Sequence, residues 1–328
     1  MYYAAKCNSD PVILKVLAAK GSRFDVASYG EISTVLEFTE PENLLLAHPI
    51  KPCDTLKYAR AVDVDMMTFD SENELLKIKL YHPAARLLLR LQVDDTGSTS
   101  RFSCKYGVSP ESVKTLLALA RTLGLDVAGA SFHVGSGCSN PLLYGTAVQQ
   151  ALDTLTLAKE YGMDATIVDI GGGFSSDTFE AAAGVIRPLV EAHPEVAWIA
   201  EPGRLLVNDS STLVVSVVGK KELPGPSYTY YVNDSVYSSF NGIIFDRRTV
   251  HLQPFNEREG LTFKSKVYGN TCDGIDEICA ECMLPNLAVG EKLFVQHMGA
   301  YSSSAASCFN GFDRAKTVYV LTRGEACA

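Results

Sequence analysis

The stretch TIVDIGGGF (166–174) decides the fold, because a short apolar run stops there on three consecutive glycines. A similar stretch precedes it, ASFHVGSG (130–137), and another follows it, AWIAEPGR (197–204). An apolar run that ends on polar or glycine residues is typical of a buried parallel strand that carries chemistry at its carboxyl end. The three stretches therefore predict one site assembled from the ends of successive strands.

Five more strand-like runs precede these three. The eight candidates are YYAAK (2–6), RFDVAS (23–28), LLLAHP (44–49), VDMMTFD (64–70), RLLLRLQV (86–93), VAGASFHV (127–134), ATIVDIGG (165–172) and VAWIAEPGR (196–204). Between them, stretches such as DPVILKVLAAKG (10–21) have apolar residues at helical spacing and stop at a glycine. Eight strands that alternate with helices predict a (β/α)8 barrel over residues 1–205. An open doubly wound sheet is the alternative architecture.

After residue 205 the helical alternation fades. The runs there are TLVVSVVGKK (212–221), YTYYVND (228–234), LTFKSKVYG (261–269), EKLFVQHMG (291–299) and TVYVLTR (317–323). Their β-branched and aromatic residues predict a smaller β-rich domain over residues 206–328. The connection LPGPS (223–227) is predicted to be a turn within that domain.

Composition excludes several classes of protein. The 328 residues carry a net charge of −9, which argues against nucleic acid or an anionic membrane as the main partner. There is no apolar run long enough to span a bilayer and no signal-peptide pattern, so we expect a cytoplasmic protein. Nine cysteines without regular spacing fit reduced thiols. The lone pair Cys279 and Cys282 does not make a zinc site, and no metal is expected.

The polar residues at the strand ends suit a phosphorylated heteroaromatic cofactor. Glycines 171–173 leave backbone N–H groups unobstructed for a phosphate. Glu201 could pair with a ring nitrogen, and Arg204 could reach an anion. Lys6, at the end of the first strand, is costly to bury unless it is used, and a desolvated amine suits Schiff-base chemistry. A lysine, a carboxylate and a phosphate nest, together with the ring of His133, form the set that pyridoxal phosphate needs.

Eight short motifs in order resemble a known enzyme family. They are YYAAKCN (2–8), FDVAS (24–28), SFHVGSG (131–137), DIGGGF (169–174), AEPGR (200–204), YGNTCDG (268–274), MGAY (298–301) and FNGF (309–312). They resemble the ornithine decarboxylase family of fold-type III pyridoxal-phosphate decarboxylases, over almost the whole chain. The resemblance implies an alanine-racemase-like barrel with a β-domain, and a homodimer whose active sites lie at the interface.

The resemblance also implies roles for individual residues. Lys6 would bind the cofactor as a Schiff base, His133 would stack on its ring, and Glu201 would hold the ring nitrogen protonated. The phosphate would be bound by Ser136, by Gly171, Gly172, Gly173 and Gly203, by Arg204 and by Tyr301. Asp25 and Arg90 would support the lysine and the ring. Cys272 of the partner subunit would protonate the carbanionic intermediate.

Substrate choice is expected to depend on two carboxylates. Asp246 and, from the partner subunit, Asp273 would bind the distal ammonium group of a basic amino acid. The family usually has Tyr-Asp where this chain has Phe245-Asp246, so one hydroxyl is lost. A Phe-Glu pair goes with arginine in the family, whereas Asp suits a diamino acid. The expected reaction is therefore L-ornithine to putrescine and CO2 in polyamine biosynthesis, with lysine second and diaminopimelate less favoured.

Two alternatives stay open at this point. One is a non-catalytic regulator like the antizyme-inhibitor relatives, which keep the fold but lose cofactor residues. The enzyme is favoured by retention of Lys6, His133, Glu201, Arg204, Cys272 and Asp273. The other concerns the start of the chain, because the family has a further segment before the strand that carries Lys6; a fragment, a start-site error or a divergent form would explain this. Binding of an antizyme-like partner is not decided by the sequence.

Overall fold

Eight parallel strands form one sheet in the computed structural model, which describes residues 1–256 and 260–320. Their order is β1-β2-β3-β4-β5-β7-β9-β10. The strands are β1 (Tyr2–Ala4), β2 (Arg23–Val26), β3 (Leu44–Leu46), β4 (Met66–Phe69), β5 (Arg86–Arg90), β7 (Asp126–Ser131), β9 (Ile167–Asp169) and β10 (Ala197–Ile199). Two others, β6 (Ser98–Ser100) and β8 (Ser136–Cys138), form a separate antiparallel ribbon.

The eight-stranded sheet closes into a barrel. Tyr2 N donates to Ala200 O at 2.8 Å and Ala4 N donates to Pro202 O at 3.3 Å, so the first strand pairs with the residues that follow the last. Six of the strands each contribute one apolar side chain to a common cluster (Tyr2, Leu45, Leu88, Ala128, Ile167 and Ile199). The predicted (β/α)8 barrel is confirmed, and the doubly wound alternative is wrong. Each strand is shorter than its predicted run.

Helices alternate with the barrel strands. They are α1 (Pro11–Ala19), α2 (Tyr29–Val35), α3 (Cys53–Ala61), α4 (Glu72–Tyr81), α5 (Val113–Leu123), α6 (Leu142–Glu160), α7 (Ser176–Ala192) and the short α8 (Arg204–Val207). Asp10 caps α1 by accepting a hydrogen bond from Val12 N at 2.9 Å. Helix α5 ends at Gly124, whose φ of 63° is the left-handed conformation that glycine adopts without strain. None of the helices in the described residues is long and apolar enough to cross a membrane.

The chain divides into two compact units, Met1–Asn208 and Asp209–Ala328. The second unit contains a six-stranded sheet of order β13-β16-β11-β12-β14-β15. Its elements are β11 (Leu213–Leu223), β12 (Ser227–Val232), the short helix α9 (Gly242–Phe245), β13 (Gln253–Pro254), β14 (Thr262–Tyr268), β15 (Glu277–Pro285) and β16 (Lys292–Val295). Strands β12 and β14 are parallel, and the other neighbours are antiparallel.

The second unit departs from the sequence predictions in two places. Strand β15 was not predicted, because two β-bulges against β14 break its alternation of buried and exposed residues. The predicted strand 317–323 is wrong for residues 317–320, which are exposed and outside any strand, whereas 321–323 lie outside the described residues. The other four predicted strands are present, and residues 223–227 turn between β11 and β12 with Gly225 at a φ of 82°.

Candidate active site

The carboxyl ends of β1 and β2 bring Lys6 and Asp25 together. Lys6 lies in a 3-10 turn directly after β1, and its Nζ donates to Asp25 Oδ2. The Lys6 side chain is 46% exposed, whereas that of Asp25 is 1% exposed. The other oxygen, Asp25 Oδ1, is buried and has no hydrogen-bond partner within residues 1–256 and 260–320. A buried carboxylate therefore anchors an accessible amine at the barrel mouth.

His133 follows β7 and is held in one orientation by its own loop. Gly135 N donates to His133 Nδ1 at 3.0 Å, so Nδ1 is the acceptor and the ring proton lies on Nε2. The ring of Phe102 approaches edge-on, with 4.9 Å between centroids. Desolvation of the ring, followed by the positive charges of Arg90 and Lys6, lowers the pKa of His133 well below its ordinary value. The imidazole is therefore neutral and available for stacking.

The glycine turn 171–173 is a close-packed cradle after β9. A Cβ on Gly171 would lie 2.4 Å from Phe132 O, one on Gly172 would lie 2.5 Å from Glu201 O, and one on Gly173 would lie 2.1 Å from Gly135 O. Gly171 and Gly173 also have positive φ values of 65° and 91°. Only glycine fits these positions, since any larger residue would collide with the backbone of the loops on either side.

Glu201 and Asp169 form a buried pair of carboxyl groups. The two side chains are joined by a hydrogen bond, and Asp169 Oδ1 also accepts from Gly171 N at 2.9 Å. Burial, and then the nearby charges of Asp169 and Asp25, raise the pKa of Glu201 well above its ordinary value; burial raises that of Asp169 to about 7. Two carboxyl groups in hydrogen-bond contact must share a proton, because two carboxylates would repel.

The cationic residues of the barrel mouth lie at the ends of β5 and β10. Arg90 ends β5, and its guanidinium lies over the Tyr106 ring, 5.2 Å from the centroid. Arg204 begins the short helix α8 and follows Gly203. A Cβ on Gly203 would lie 2.9 Å from Cys7 Cβ, so this glycine allows the loop to approach the turn that carries Lys6. Ser136 lies half-buried in β8, paired with Ser100 of β6.

The remaining predicted site residues belong to the second unit. Asp246 follows helix α9 and is half-buried, whereas the neighbouring Phe245 is 73% exposed. Cys272 and Asp273 are exposed in the loop between β14 and β15. Tyr301 has a φ of 53° in the loop after β16. These five residues are therefore not on barrel strands.

The loop with Cys272 and Asp273 is fixed by neighbours that the sequence did not single out. Tyr237 Oη donates to Asp273 Oδ2 at 2.5 Å, and this contact lowers the pKa of Asp273. The Tyr237 ring stacks on Phe309 with 4.3 Å between centroids. The buried Asp276 accepts from Thr271 N and Val236 N, both at 2.9 Å. Asp273 is therefore an ionised group in a pre-formed loop.

The loop with Tyr301 is tied to the segment after Asp246. Arg248 donates through Nη1 to Ser302 Oγ at 3.3 Å and to Ala300 O at 3.5 Å. Asn241 Nδ2 donates to Ser302 O at 2.6 Å. No sequence signal marked Arg248 or Asn241, because their partners lie about fifty to sixty residues further along the chain.

The barrel residues fit pyridoxal phosphate on three structural observations. Glu201 Oε1 is buried and has no hydrogen-bond partner among the described residues, so it can accept from a ring nitrogen. Residues 171–173 are packed so closely against the neighbouring loops that only glycine fits, and with no side chains there the backbone N–H groups of the turn are unobstructed. Lys6 supplies an accessible amine whose positive charge acts on Glu201. The described residues contain no group of three or more potential metal ligands.

Comparisons with known proteins agree with this chemistry. The model of the pyridoxal-binding domain of pyridoxal-dependent decarboxylases matches residues 1–208. Over 98% of its length the chain is 41% identical to antizyme inhibitor 2 of Xenopus laevis and to ornithine decarboxylase of Mus musculus, covering 76% and 75% of those proteins. The crystal structure of the Paramecium bursaria Chlorella virus arginine decarboxylase bound to agmatine superposes with a TM-score of 0.92 at 35% identity, covering 95% of this chain and 86% of that one.

The chain belongs to the pyridoxal-dependent decarboxylase family. It is a decarboxylase, and its cofactor is pyridoxal phosphate. The family resemblance of the sequence motifs is confirmed, together with the barrel and the β-rich second unit.

Proposed function

We propose that the protein decarboxylates a basic L-amino acid, with L-ornithine as substrate and putrescine and CO2 as products. The observation that carries the proposal is the strand-end set of Lys6, paired with Asp25, and Glu201, whose buried Oε1 lacks a hydrogen-bond partner in the part of the chain that the structure describes. Pyridoxal phosphate, when bound, supplies the electron sink for the electron pair that the departing CO2 leaves behind. The similarity to ornithine decarboxylases supports the choice of substrate.

Residues of the barrel would bind and orient the cofactor. Lys6 would hold it covalently, and the carboxylate of Asp25 would keep the amine in place until then. His133, fixed by Gly135 N and neutral, would cover one ring face. Glu201 would accept the hydrogen bond of the ring nitrogen at Oε1. The phosphate would lie among Gly171, Gly172, Gly173, Gly203, Ser136 and Arg204, with Arg90 and Tyr301 as further contributors.

Residues of the second unit would recognise the substrate. Asp273 is ionised and held by Tyr237, as the binding of an ammonium group requires. Asp246 would bind the same distal ammonium, and the short aspartate side chain favours a diamino acid over arginine. Cys272 would then deliver a proton to Cα. In this proposal the active protein is a homodimer, each site taking Cys272 and Asp273 from the partner subunit, so that residues 1–205 bind the cofactor and residues 206–328 complete the site.

Two other functions are alternatives to ornithine decarboxylation. A lysine decarboxylase would use the same residues with more room for the substrate. A non-catalytic regulator is favoured by one observation, the 41% identity to antizyme inhibitor 2 of Xenopus laevis. The regulator reading is opposed by the presence of Lys6, Glu201 and the glycine turn.

The test is CO2 release measured side by side on ornithine, lysine, arginine and diaminopimelate, with Lys6→Ala as the matched control. We expect ornithine to give the highest kcat/KM and Lys6→Ala to release no CO2 above background. Borohydride reduction should trap the cofactor on Lys6 in the wild-type protein. Trapped cofactor without CO2 from any of the four substrates would overturn the proposed substrate class. Failure to trap any cofactor would favour the regulator.

A further inference from the structure

Tyr144 lies directly behind the glycine turn and contacts it through its hydroxyl. The residue is in helix α6 and is 2% exposed. Tyr144 Oη donates to Gly172 O at 3.1 Å. We propose that Tyr144 is a positioning residue that holds the Gly172–Gly173 peptide in the orientation that binds the cofactor phosphate. This inference rests on the proposed phosphate-binding role of residues 171–173.

The hydrogen bond from Tyr144 fixes the orientation of the whole Gly172–Gly173 peptide, and not only that of the carbonyl group that accepts it. In a trans peptide the C=O and N–H point in opposite directions within one plane, and no cis peptide bond occurs in the described residues. With Gly172 O held against Tyr144, the N–H of Gly173 must point to the opposite side. A backbone anion site needs N–H groups that converge on the anion. Three successive glycines do not supply this order themselves, because glycine has the largest conformational freedom of any residue.

The aromatic ring is held as firmly as the hydroxyl. Tyr144 stacks on Phe174, with 5.2 Å between centroids and 12° between ring planes, and Phe179 packs edge-on against Phe174 at 6.1 Å. A Cβ on Gly173 would lie 3.3 Å from Tyr144 Oη, so the hydroxyl also lies against the next residue of the turn. Burial, and then the nearby Cys138, raise the pKa of Tyr144, which keeps the phenol a donor at neutral pH.

A purely structural role for Tyr144 would look different in binding experiments. A buried tyrosine usually has a partner for its hydroxyl, and losing that partner lowers the stability of the fold as a whole. If Tyr144 instead positions the glycine turn, losing its hydroxyl weakens only the binding of the phosphate group. Pyridoxal phosphate and pyridoxal share the ring and the aldehyde and differ in the phosphate group, so the pair of ligands separates the two roles.

The experiment measures the dissociation constants of both ligands for the apoprotein, comparing the wild-type chain with Tyr144→Phe. We expect Tyr144→Phe to raise the dissociation constant of pyridoxal phosphate by about fivefold, which corresponds to the loss of one neutral hydrogen bond. The dissociation constant of pyridoxal should stay within about twofold of the wild-type value. Tyr161→Phe, just beyond the other end of α6, is the matched control and should change neither ligand. Inorganic phosphate should compete with pyridoxal phosphate less effectively in Tyr144→Phe than in the wild type.

Equally weakened binding of both ligands, or unchanged binding of pyridoxal phosphate, would overturn the positioning role of Tyr144 while leaving the proposed cofactor site intact. A wild-type protein that binds neither ligand would overturn the cofactor site as well.

Denaturant unfolding of the apoproteins reports whether the variant folds. If Tyr144→Phe does not fold, Phe174→Leu provides the second test, because it removes the stacked ring and keeps the hydroxyl. The same phosphate-selective loss is expected from that variant, and a loss common to both ligands would contradict the inference.

Discussion

Lys6 and Asp25 form an ion pair in which the carboxylate is buried and the amine is accessible. A buried carboxylate that loses its partner leaves an uncompensated charge, so the pair holds the Lys6 amine at the barrel mouth. This geometry would let the residue that we propose to react with the cofactor be both ordered and reachable.

Asp25→Asn should slow attachment of pyridoxal phosphate to Lys6. The amide keeps the shape of the side chain but cannot pair with the ammonium group, so the amine is less well positioned. We expect the rate of formation of the borohydride-trapped adduct to fall by about tenfold or more, because a misplaced amine loses the proximity and orientation on which the rate depends. Asp54→Asn removes the carboxylate of the exposed Lys57–Asp54 pair and is the control. An unchanged trapping rate in Asp25→Asn would contradict this role of Asp25.

The shared proton of Asp169 and Glu201 predicts a pH dependence of stability. Both folded-state pKa values are raised, that of Asp169 from 3.8 to about 7. A raised carboxyl pKa contributes stability that is present at low pH and is lost as pH rises through the folded-state value. The free energy of unfolding of the wild-type apoprotein should therefore fall, relative to Asp169→Asn, between about pH 4 and pH 7. A difference that stays constant over this range in urea titrations would show that the pair does not share a proton.

Asp246→Glu should move substrate preference towards arginine. The longer side chain shortens the space for a diamino acid and suits a guanidinium group. We expect the ratio of kcat/KM for ornithine to that for arginine to fall by roughly tenfold, a typical effect of one repositioned contact in a binding site. The exposed Asp164→Glu on the barrel unit is the control for the same chemical change. If both variants keep the wild-type ratio, Asp246 does not recognise the distal amine.

Cys272→Ala should remove the group that we propose as the acid for protonation of Cα. We expect turnover to fall by about 100-fold, the lower end of general acid catalysis, and products of misplaced protonation to accompany the amine. Product distribution by mass spectrometry is the readout that a merely structural cysteine would not change. Cys104→Ala alters another exposed thiol and should behave as wild type. Normal products from Cys272→Ala would exclude the thiol as the proton donor.

Lys51 predicts a second pH effect, outside the cofactor site. Its buried Nζ lies 2.9 Å from Glu74 Oε1 and 2.6 Å from Thr68 O, and burial lowers its pKa from 10.5 to about 8. Between these values the unfolded chain binds the proton and the folded chain does not, so stability rises with pH. Wild type should gain stability relative to Lys51→Met from about pH 8 to about pH 10.5. Lys57→Met controls for the loss of a surface lysine, and parallel curves for wild type and Lys51→Met would contradict the prediction.

The barrel could be predicted because each strand carries its own local signal. A run such as residues 165–172 is apolar and β-branched, and it ends on glycines whatever its neighbours are. Strand β15 could not be predicted, because its bulges depend on how it pairs with β14 and hide the alternation. All eight barrel strands are shorter than the runs that predicted them, because hydrogen bonding to a neighbouring strand, and not residue propensity, decides where a strand stops.

The residues of the candidate site likewise fall into those that the sequence could identify and those that it could not. Lys6, His133, Glu201 and residues 171–173 could be singled out, because each chemical type stands at the end of a recognisable run. Tyr144 and Asp276 could not, because a buried tyrosine on an amphipathic helix and an aspartate in a loop are ordinary features until their partners are known. Asp169 is an ordinary strand-end residue of the DIGGGF motif in the sequence, and its interaction with Glu201, 32 positions further along, is visible only in the fold.

The sequence alone determined the order of the strands, the glycine turn at the end of one of them, and the set of reactive groups, because these follow from local pattern and residue chemistry. Only the tertiary structure decided the states of those groups. The proton shared by Asp169 and Glu201, the pairing of Lys6 with Asp25 and the contact of Tyr144 with the glycine turn all depend on burial and on distances between residues far apart in the chain. Electrostatic and hydrogen-bond energies change steeply with both, and a linear pattern of residues carries neither.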